Sequence, residues 1–421
     1  MKYSVVTFGC RVNQADSLGI EGSLRARGAV SASPEEADLV VVNTCSVTAT
    51  ADQGARQTIR RIARNNPDVR IVVTGCYATR RPGELLELPN VTQVVSNQFK
   101  DDLLSSIAFD DPASLSTATR FGAGDGPCGA LEPGVAGRTA FTMRVQTGCE
   151  ERCSYCIIPT TRGQSRSLPF TQITRQLAHV VASGYKEIII TGVHLGSYGR
   201  DLHDGSSLTA LVRHLAEWDA DVLFRISSLE PMDCTEDIVD LVAESPRLAP
   251  HFHLPLQHGA DNMLRRMRRP YTAAAYRHLV ERIRAMVPHA SIGSDVIVGF
   301  PGESDTDFNE TESLLTELPL THLHVFPYSD RPGTDASTRT GKVDGAVIRS
   351  RARAVRELGT AMTTAFRRSQ QDVTTRALTL DEGWSAVTPN YLKVQLDRQI
   401  SRNEWIDVRI VEAESLRAVV L

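Results

Sequence analysis

Two hydrophobic patterns alternate along the first 108 residues. Short runs of apolar, mostly β-branched residues predict buried strands: KYSVVTF, LVVVN, RIVVTG and VTQVV. The longer segments between them have helical periodicity and end at Gly or Pro, as in QADSLGIEGSLRARG and VTATADQGARQTIRRIARNNP. This alternation predicts an α/β domain over residues 1–108, built on a doubly wound parallel sheet. No G-x-G-x-x-G sequence is present, so a dinucleotide site is not indicated.

The pattern changes twice after this domain. Residues 109–138 are rich in Gly, Pro, Ala, Ser and Thr, which predicts a linker with Cys128 as an incidental thiol. Residues 139–366 contain six strand–helix repeats and predict a partial (βα)6 barrel, whose active site would lie at the carboxyl ends of the strands. A long, Arg-rich helix is predicted at 343–371. Residues 367–421 alternate apolar and polar positions between turns, which predicts a small antiparallel β-barrel-like domain.

Composition narrows the class of protein. The 421 residues are 41% hydrophobic and 23% charged, as in an ordinary globular protein. No apolar run approaches the ~18 residues of a membrane helix, and the N-terminus lacks the features of a secretory signal. We therefore expect a cytoplasmic protein without a membrane partner. The net charge of −4 means that any nucleic-acid-binding surface must be local. Eight cysteines are too few for a disulfide scaffold, so clustered ones suggest metal binding or catalysis.

The clearest chemical signal is TGCEERCSYC, which contains Cys149, Cys153 and Cys156 with C-x3-C-x2-C spacing. Three thiolates on one loop can bind a cubane cluster or a single metal ion. Structural zinc sites usually have four ligands, whereas a triplet leaves one iron of a cluster open. The loop follows the first predicted barrel strand. A zinc loop with a distant fourth ligand, or three free thiols, is the alternative.

A second triad is dispersed in the sequence. Cys10, Cys45 and Cys76 each follow a predicted strand of the N-terminal sheet. Because the carboxyl ends of parallel strands share one edge, we expect these three side chains to meet there. The prediction is a second iron–sulfur cluster with one open iron. The alternative is that they are buried cysteines acting as small hydrophobic residues.

The C-x3-C-x2-C loop, with Tyr155 before its last cysteine, resembles the radical S-adenosylmethionine (SAM) superfamily. The resemblance implies that an open iron chelates the amino and carboxylate groups of SAM. It also implies that an electron from the cluster yields a 5′-deoxyadenosyl radical. The protein must hold that radical beside its target. By the same resemblance, Tyr155 packs near the adenine of SAM.

Both triads together resemble the methylthiotransferase family over nearly the whole chain. Its motifs are matched by TFGCRVNQADS, TGVHLGSYGRD, HFHLPLQHGADNMLRRMRRPYT, DVIVGFPGESDTDF and VFPYSDRPGTDAS. The resemblance implies two 4Fe-4S clusters and two SAM molecules, which replace a C–H bond by C–SCH3. It implies an electron donor such as a flavodoxin or ferredoxin, and a sulfur donor. The C-terminal domain resembles the RNA-binding TRAM domain.

Further residues are predicted to contact SAM. Glu230 and Gln257 follow the third and fourth barrel strands, and Asp295 and Gly299 belong to the fifth strand and its turn. The family's Gly-Gly-Glu turn after the second strand is replaced here by TGVHLGSYG. An ordinary strand-to-helix turn is the alternative at Gly299.

Basic residues predict contacts with RNA. Arg265, Arg266, Arg268 and Arg269 lie close together, and Arg225 ends the third barrel strand, where a cation could select an anionic base. A second basic run contains Arg56, Arg60, Arg61 and Arg64. A solvated helix face is the alternative for either run. Three histidines, His251, His253 and His258, lack a nearby carboxylate in the sequence, so a further metal site is not expected.

The opening CRVNQ and the block TGVHLGSYG resemble the branch that modifies threonylcarbamoyladenosine at position 37 of tRNA, beside the anticodon. We therefore expect a tRNA methylthiotransferase acting on the anticodon loop. The runners-up are the isopentenyladenosine branch, which opens with C-Q-M-N, and the ribosomal-protein aspartate branch, which opens with C-P-K-N. A non-catalytic iron–sulfur RNA-binding protein and a cobalamin-dependent radical methylase are alternatives of other classes. Cobalamin binding needs no strand-end cysteines.

Overall fold

The computed structural model describes residues 1–107, 133, 139–380 and 382–421. The predicted linker, with Cys128, therefore lies outside the described residues except for Pro133. Among the described residues, no helix is both long and apolar enough to cross a membrane.

The N-terminal part is a parallel sheet with helices on both faces. Its elements are β1 (Lys2–Thr7), α1 (Arg11–Ala26), β2 (Val30–Ser31), β3 (Leu39–Thr44), α2 (Ala49–Asn65), β4 (Arg70–Gly75), α3 (Cys76–Arg80), α4 (Pro82–Leu86), β5 (Val91–Val95) and a 3₁₀ helix, Asn97–Ser106. The strand order is β2-β1-β3-β4-β5, with every pair parallel. Apolar residues of α2 pack on one face, and those of α1 and the 3₁₀ helix pack on the other. Every residue of β3 is therefore buried.

The central part is an open parallel barrel. Its elements are β6 (Phe141–Arg144), β7 (Gln146–Thr147), α5 (Ile158–Arg162), β8 (Arg166–Ser167), α6 (Phe170–Ala182), β9 (Glu187–Thr191), α7 (Leu208–Ala216), β10 (Leu223–Ile226), α8 (Glu236–Glu244), β11 (His251–His253), α9 (Asp261–Met267), α10 (Ala273–Met286), β12 (Ser291–Val298), α11 (Asp305–Glu317), β13 (His322–Pro327) and α12 (Gly345–Arg368). Short 3₁₀ helices lie at Leu195–Ser197, Pro231–Asp233 and Asp335–Thr338.

Six strands form this barrel in the order β6-β9-β10-β11-β12-β13. They make two three-stranded sheets, which are joined by single parallel bridges at Phe224–Leu248 and Ser228–His253. In the part of the chain that the structure describes, β6 and β13 are not paired, so the barrel is open. This confirms the predicted partial (βα)6 barrel.

The barrel lumen is polar. Alternate strand residues, such as Phe141 and Ile188, pack against the outer helices in one large apolar cluster. Their neighbours in the strands point to the opposite face. That face includes charged or ionisable side chains from all six strands: Arg144, Glu187, Arg225, His253, Asp295 and His324. Such a lumen suits a polar ligand rather than a dry core.

A closed, mainly antiparallel barrel ends the chain. Its strands are β14 (Thr374–Thr379), β15 (Ser385–Val387), β16 (Lys393–Leu396), β17 (Trp405–Glu412) and β18 (Arg417–Val420), in the order β14-β15-β16-β18-β17. Small and branched apolar residues fill it. One pair, β16–β18, is parallel. The predicted β-barrel-like domain is confirmed, whereas the exact domain boundaries stay a prediction.

Candidate active site

The N-terminal cysteines meet at one edge of the sheet. Cys10 caps α1 after β1, Cys45 follows β3, and Cys76 begins α3 after β4. These three strands are adjacent, so their carboxyl ends lie together. Gly9 has a φ of +91°, and a Cβ there would lie 2.6 Å from Cys45 Sγ. Only glycine therefore lets the segment before Cys10 approach Cys45 this closely.

Nitrogen donors surround these sulfurs. The Val47 backbone N–H donates to Cys45 Sγ over 3.5 Å, and Asn97 Nδ2 donates to Cys76 Sγ over 3.6 Å. Burial, together with the neighbouring Cys76 and Cys10, raises the pKa of Cys45 to about 12. Without a metal this thiol is therefore protonated at neutral pH, so metal binding there must release a proton.

Buried positive charge lies behind the triad. Asp16 accepts from Lys100 over 2.8 Å and from Arg144 over 2.6 Å, and Arg162 lies 3.3 Å from it. Arg162 also hydrogen bonds to Cys76 and to the Asn13 side chain. Three buried cations around one buried carboxylate leave an excess of positive charge, which would stabilise anionic thiolates. The donor set therefore fits an iron–sulfur cluster.

The triad of the C-x3-C-x2-C loop, Cys149, Cys153 and Cys156, follows β6 and β7 in the chain. The backbone of the Cys149–Cys156 loop is fixed at Ser154, whose Oγ donates to Arg266 O over 2.9 Å and whose carbonyl accepts from Ala336 N over 2.7 Å. Each of these hydrogen bonds joins the loop to a part of the barrel that is distant in sequence. The loop is therefore held in place by the fold.

Donors also point at these sulfurs. The Ile158 backbone N–H donates to Cys156 Sγ over 3.4 Å, and Arg269 Nη1 donates to Cys153 Sγ over 3.1 Å. His194 lies beside Cys149 and bonds Asp233 over 2.7 Å. Burial lowers the pKa of His194, but its bonds to Asp233 and Cys149 outweigh this effect and raise the pKa to about 9.

The spacing of the sulfurs argues against a single ion. Among the described residues, one group of His, Cys, Asp or Glu ligands has all its ligand atoms within 4.8 Å of one another, and it contains no cysteine. Thiolates on a tetrahedral zinc ion are only about 3.8 Å apart, as follows from a Zn–S distance of about 2.3 Å. In each cysteine triad at least one pair of sulfurs is therefore farther apart than the thiolates of a tetrahedral zinc site.

The compact group is His253, Asp295 and His324, in the lumen. Asp295 Oδ1 bonds His253 Nε2 over 3.0 Å and His324 Nδ1 over 3.1 Å. The bond to Asp295 raises the pKa of His324, although burial opposes it. Burial would raise the pKa of Asp295, but the two histidines hold it well below its usual range. Sequence reasoning missed this group because its carboxylate and one histidine lie on later strands.

Two sequence profiles match the chain. The uncharacterized protein family UPF0004 matches residues 2–96, and the radical SAM superfamily matches residues 143–315. A threonylcarbamoyladenosine tRNA methylthiotransferase MtaB from Rickettsia prowazekii is 33% identical over 98% of this chain and 96% of that protein. Four further relatives of that name are 34 to 36% identical. A tRNA-2-methylthio-N(6)-dimethylallyladenosine synthase from Chloroflexus aurantiacus is 34% identical over 80% of this chain and 71% of that protein.

The chain belongs to the radical SAM methylthiotransferase family. Two relatives named MtaB match 98% and 94% of this chain, against 80% for the Chloroflexus protein, which favours the MtaB branch. Among solved structures, the radical SAM methyltransferase TsrM from Kitasatospora setae has a TM-score of 0.56 at 17% identity, covering 80% of this chain and 77% of that one. That likeness shows the fold alone. As a radical SAM enzyme, this methylthiotransferase uses SAM and a 4Fe-4S cluster.

The residues predicted to contact SAM lie in different surroundings in this methylthiotransferase. Tyr155 packs against an apolar cluster that includes Met263 and Phe300, and burial raises its pKa well above the ordinary value. Gln257 has a φ of +66° and exchanges backbone hydrogen bonds with β12. A Cβ on Gly299 would lie 2.3 Å from Ile348 of α12, so helix packing accounts for this glycine. The SAM contacts themselves stay a prediction.

Two of the arginines predicted to contact RNA are buried. Arg225 is fully buried, donates to Glu187 over 2.7 Å, and lies within β10 rather than at its end. Arg269 is also buried and bonds Glu230, Cys153 and Tyr271. Neither guanidinium reaches a surface on which RNA phosphates could lie. Surface contacts with phosphates are therefore not expected from these two residues. Selection of an anionic base by Arg225 stays a prediction, and Arg269 lies beside Cys153 of the C-x3-C-x2-C loop.

The other arginines of that run lie nearer the surface. Arg265 and Arg268 are exposed, and Arg268 pairs with Asp335 over 3.1 Å. Arg266 is half-buried and donates to Pro301 O over 2.9 Å. Arg265 and Arg268 therefore remain the candidates for RNA phosphates.

Some residues of the site were not identified from the sequence. His194 stands in the segment that replaces the family's Gly-Gly-Glu turn, and Asn13 and Asp16 stand in the opening motif. The motifs that contain these residues were recognised, but the neighbouring sequence does not indicate which groups their side chains contact. Their partners lie far away in the sequence, as with Arg162 at Asn13 and Asp233 at His194.

Proposed function

We propose that this methylthiotransferase converts threonylcarbamoyladenosine at position 37 of tRNA into its 2-methylthio derivative. The observation that carries the proposal is the position of two cysteine triads at the two ends of α5. Cys156 precedes this helix and accepts from its first N–H, and Arg162, its last residue, bonds Cys76. A five-residue helix is about 7.5 Å long. Two clusters held this way would lie close enough to act on one base.

We assign the radical-forming cluster to Cys149, Cys153 and Cys156, and a second 4Fe-4S cluster to Cys10, Cys45 and Cys76. When bound, these groups supply the electron that cleaves SAM and the sulfur that receives a methyl group. The chain's own residues hold the thiolates. Arg269 and the Ile158 N–H donate to the first set, and Arg162 and Asn97 donate to the second.

The lumen residues would position the base and exclude water. A loop base can leave its stack at a small energetic cost, and carbon 2 of adenine must then lie between the two sites. Asp295, His253 and His324 offer polar contacts there. An electron donor such as a flavodoxin or ferredoxin, a sulfur donor and a cytoplasmic location complete the proposal.

Mass spectrometry of tRNA nucleosides tests the proposal. A deletion strain should lack 2-methylthio-threonylcarbamoyladenosine and accumulate the precursor, and the wild-type gene, but not its Cys149→Ala variant, should restore the product. Loss of the isopentenyl-type nucleoside instead would move the chain to the other tRNA branch. Loss of a methylthio group from a ribosomal aspartate would exclude tRNA as substrate. A purified protein that forms no 5′-deoxyadenosine from SAM would be a non-catalytic iron–sulfur protein.

A further inference from the structure

A cleft lies beside Cys10 where all three parts of the chain meet. It has a volume of about 620 Å³, within the range of small-molecule sites. The N-terminal part contributes Cys10 and Arg11, the barrel contributes Glu187 and Ile189, and the C-terminal barrel contributes residues that include Tyr391 and Lys393. Cys10 is the exposed member of its triad, whereas Cys45 and Cys76 are buried. The cleft therefore gives access to the second cysteine triad.

The charges of the cleft favour an anionic ligand. Glu187 is neutralised by Arg225, which donates to it over 2.7 Å. Within the described residues, no carboxylate lies within ion-pair distance of Arg11 or Lys393. The two cations belong to different domains but line one cavity. An anion placed between them would gain charge-assisted hydrogen bonds to both.

Tyr391 fixes one of these cations. Its phenol accepts from Arg11 Nη2 over 2.7 Å, and its ring stacks against Arg225 with 4.4 Å between guanidinium carbon and ring centroid. His251 packs on the same ring at 5.0 Å. Tyr391 holds a φ of +69°, a conformation that non-glycine residues adopt at a cost and that often marks a functional site. One Arg11 donor is thus occupied by Tyr391, and the guanidinium keeps further N–H groups for a ligand.

We propose that this cleft binds the carboxylate of the N6 substituent of the substrate adenosine, with Arg11 and Lys393 as its binding residues. The proposal rests on the proposed function, because the threonylcarbamoyl group supplies the carboxylate. A backbone phosphate offers the same charge. The carboxylate fits better because the cleft is lined by all three parts of the chain and reaches Cys10, where the proposed function places the base.

Binding of two RNA probes tests this subsite. The full chain, with its clusters reconstituted without oxygen, is titrated with anticodon stem-loops that carry threonylcarbamoyladenosine or plain adenosine at position 37. We expect the wild type to prefer the modified stem-loop about tenfold or more, the usual range for hydrogen bonds to a charged group. Lys393→Gln and Arg11→Gln should each lose most of this preference and bind the plain stem-loop within twofold of wild type. Arg402→Gln removes an exposed charge of the same C-terminal barrel outside the cleft and should keep the preference.

Each other outcome has its own meaning. Equal weakening of both stem-loops would assign Arg11 and Lys393 to phosphates and overturn the carboxylate subsite. A wild type that prefers the modified stem-loop, with Lys393→Gln keeping that preference, would overturn the subsite but leave the proposed function intact. A wild type without any preference would overturn the subsite, whereas the proposed function is tested separately by the nucleosides of the deletion strain. Because Arg11 follows Cys10 directly, the iron content of the Arg11 variant is measured to check that it retains its clusters. Lys393 lies far from the cysteines in sequence, so its variant should retain them.

Discussion

Arg162 of the barrel and Asp16 of the N-terminal part form a buried ion pair with 3.3 Å between their charged atoms. Both side chains are at most 3% exposed. Because Arg162 also bonds Cys76, the carboxylate indirectly orients a donor of the second cysteine triad. The same pair fixes the N-terminal part to the barrel, so the distance between the two triads depends on a charge interaction across the domain interface.

Replacing Asp16 should strongly destabilise the protein. Asp16→Asn leaves Lys100, Arg144 and Arg162 buried without their shared carboxylate, and breaking a buried pair in this way costs about 3–5 kcal/mol. Denaturant unfolding measures the loss. The control is Glu414→Gln, which removes an exposed partner of Arg368 and should change stability by less than about 1 kcal/mol. Equal stability of the two variants would contradict the assigned role of Asp16.

Iron content should reveal two clusters. The reconstituted wild type should hold about eight irons, the content of two cubanes. Cys149→Ala and Cys10→Ala should each retain about half of that. Cys234, which is buried in the barrel and lies in neither triad, offers the control, and Cys234→Ala should keep the full content. Full iron in the Cys10 variant would rule out the second cluster.

The two triads should differ in chemistry. Cys153→Ala should abolish formation of 5′-deoxyadenosine, because the loop of residues 149–156 then no longer offers three thiolates. Cys45→Ala should still form 5′-deoxyadenosine but transfer no methylthio group to tRNA, since it alters only the N-terminal triad. Chromatography of both products separates the effects. Methylthiolated tRNA from the Cys45 variant would refute its role.

The sequence predicted the features that depend on local hydrophobic pattern and on strand topology. Strand ends are readable from hydrophobic runs, and parallel topology places the ends of β1, β3 and β4 at one edge, so the meeting of Cys10, Cys45 and Cys76 was predictable. The burial of an arginine, in contrast, cannot be predicted from local pattern. Arg269 looks like its exposed neighbours in sequence, and its carboxylate, Glu230, lies 39 residues earlier on another element. Only the packed structure reveals such a partner.

Arg269 and Arg265 should therefore separate SAM chemistry from RNA binding. Arg269→Gln removes charged donors to Cys153 and Glu230 and should slow SAM cleavage about tenfold or more, with little change in the affinity for tRNA. Arg265→Gln, four residues earlier and exposed near the end of α9, should leave SAM cleavage unchanged. If Arg265 contacts a phosphate, its variant should also lower the salt dependence of tRNA binding by about one unit of log–log slope. Reversed effects would restore Arg269 to the RNA-binding surface.

The titration of His324 should depend on Asp295, whose Oδ1 lies 3.1 Å from its Nδ1. The bond to Asp295 raises the pKa of His324, so Asp295→Asn, which removes the negative charge, should lower it. The raised pKa means that the His324 bond stabilises the fold fully below the ordinary imidazole pKa of about 6.5. That contribution is lost as the pH rises through the folded-state pKa. Histidine NMR of wild type and variant measures the shift, and the difference in their unfolding free energy should shrink toward high pH. An unchanged His324 titration would show that Asp295 does not control this imidazole.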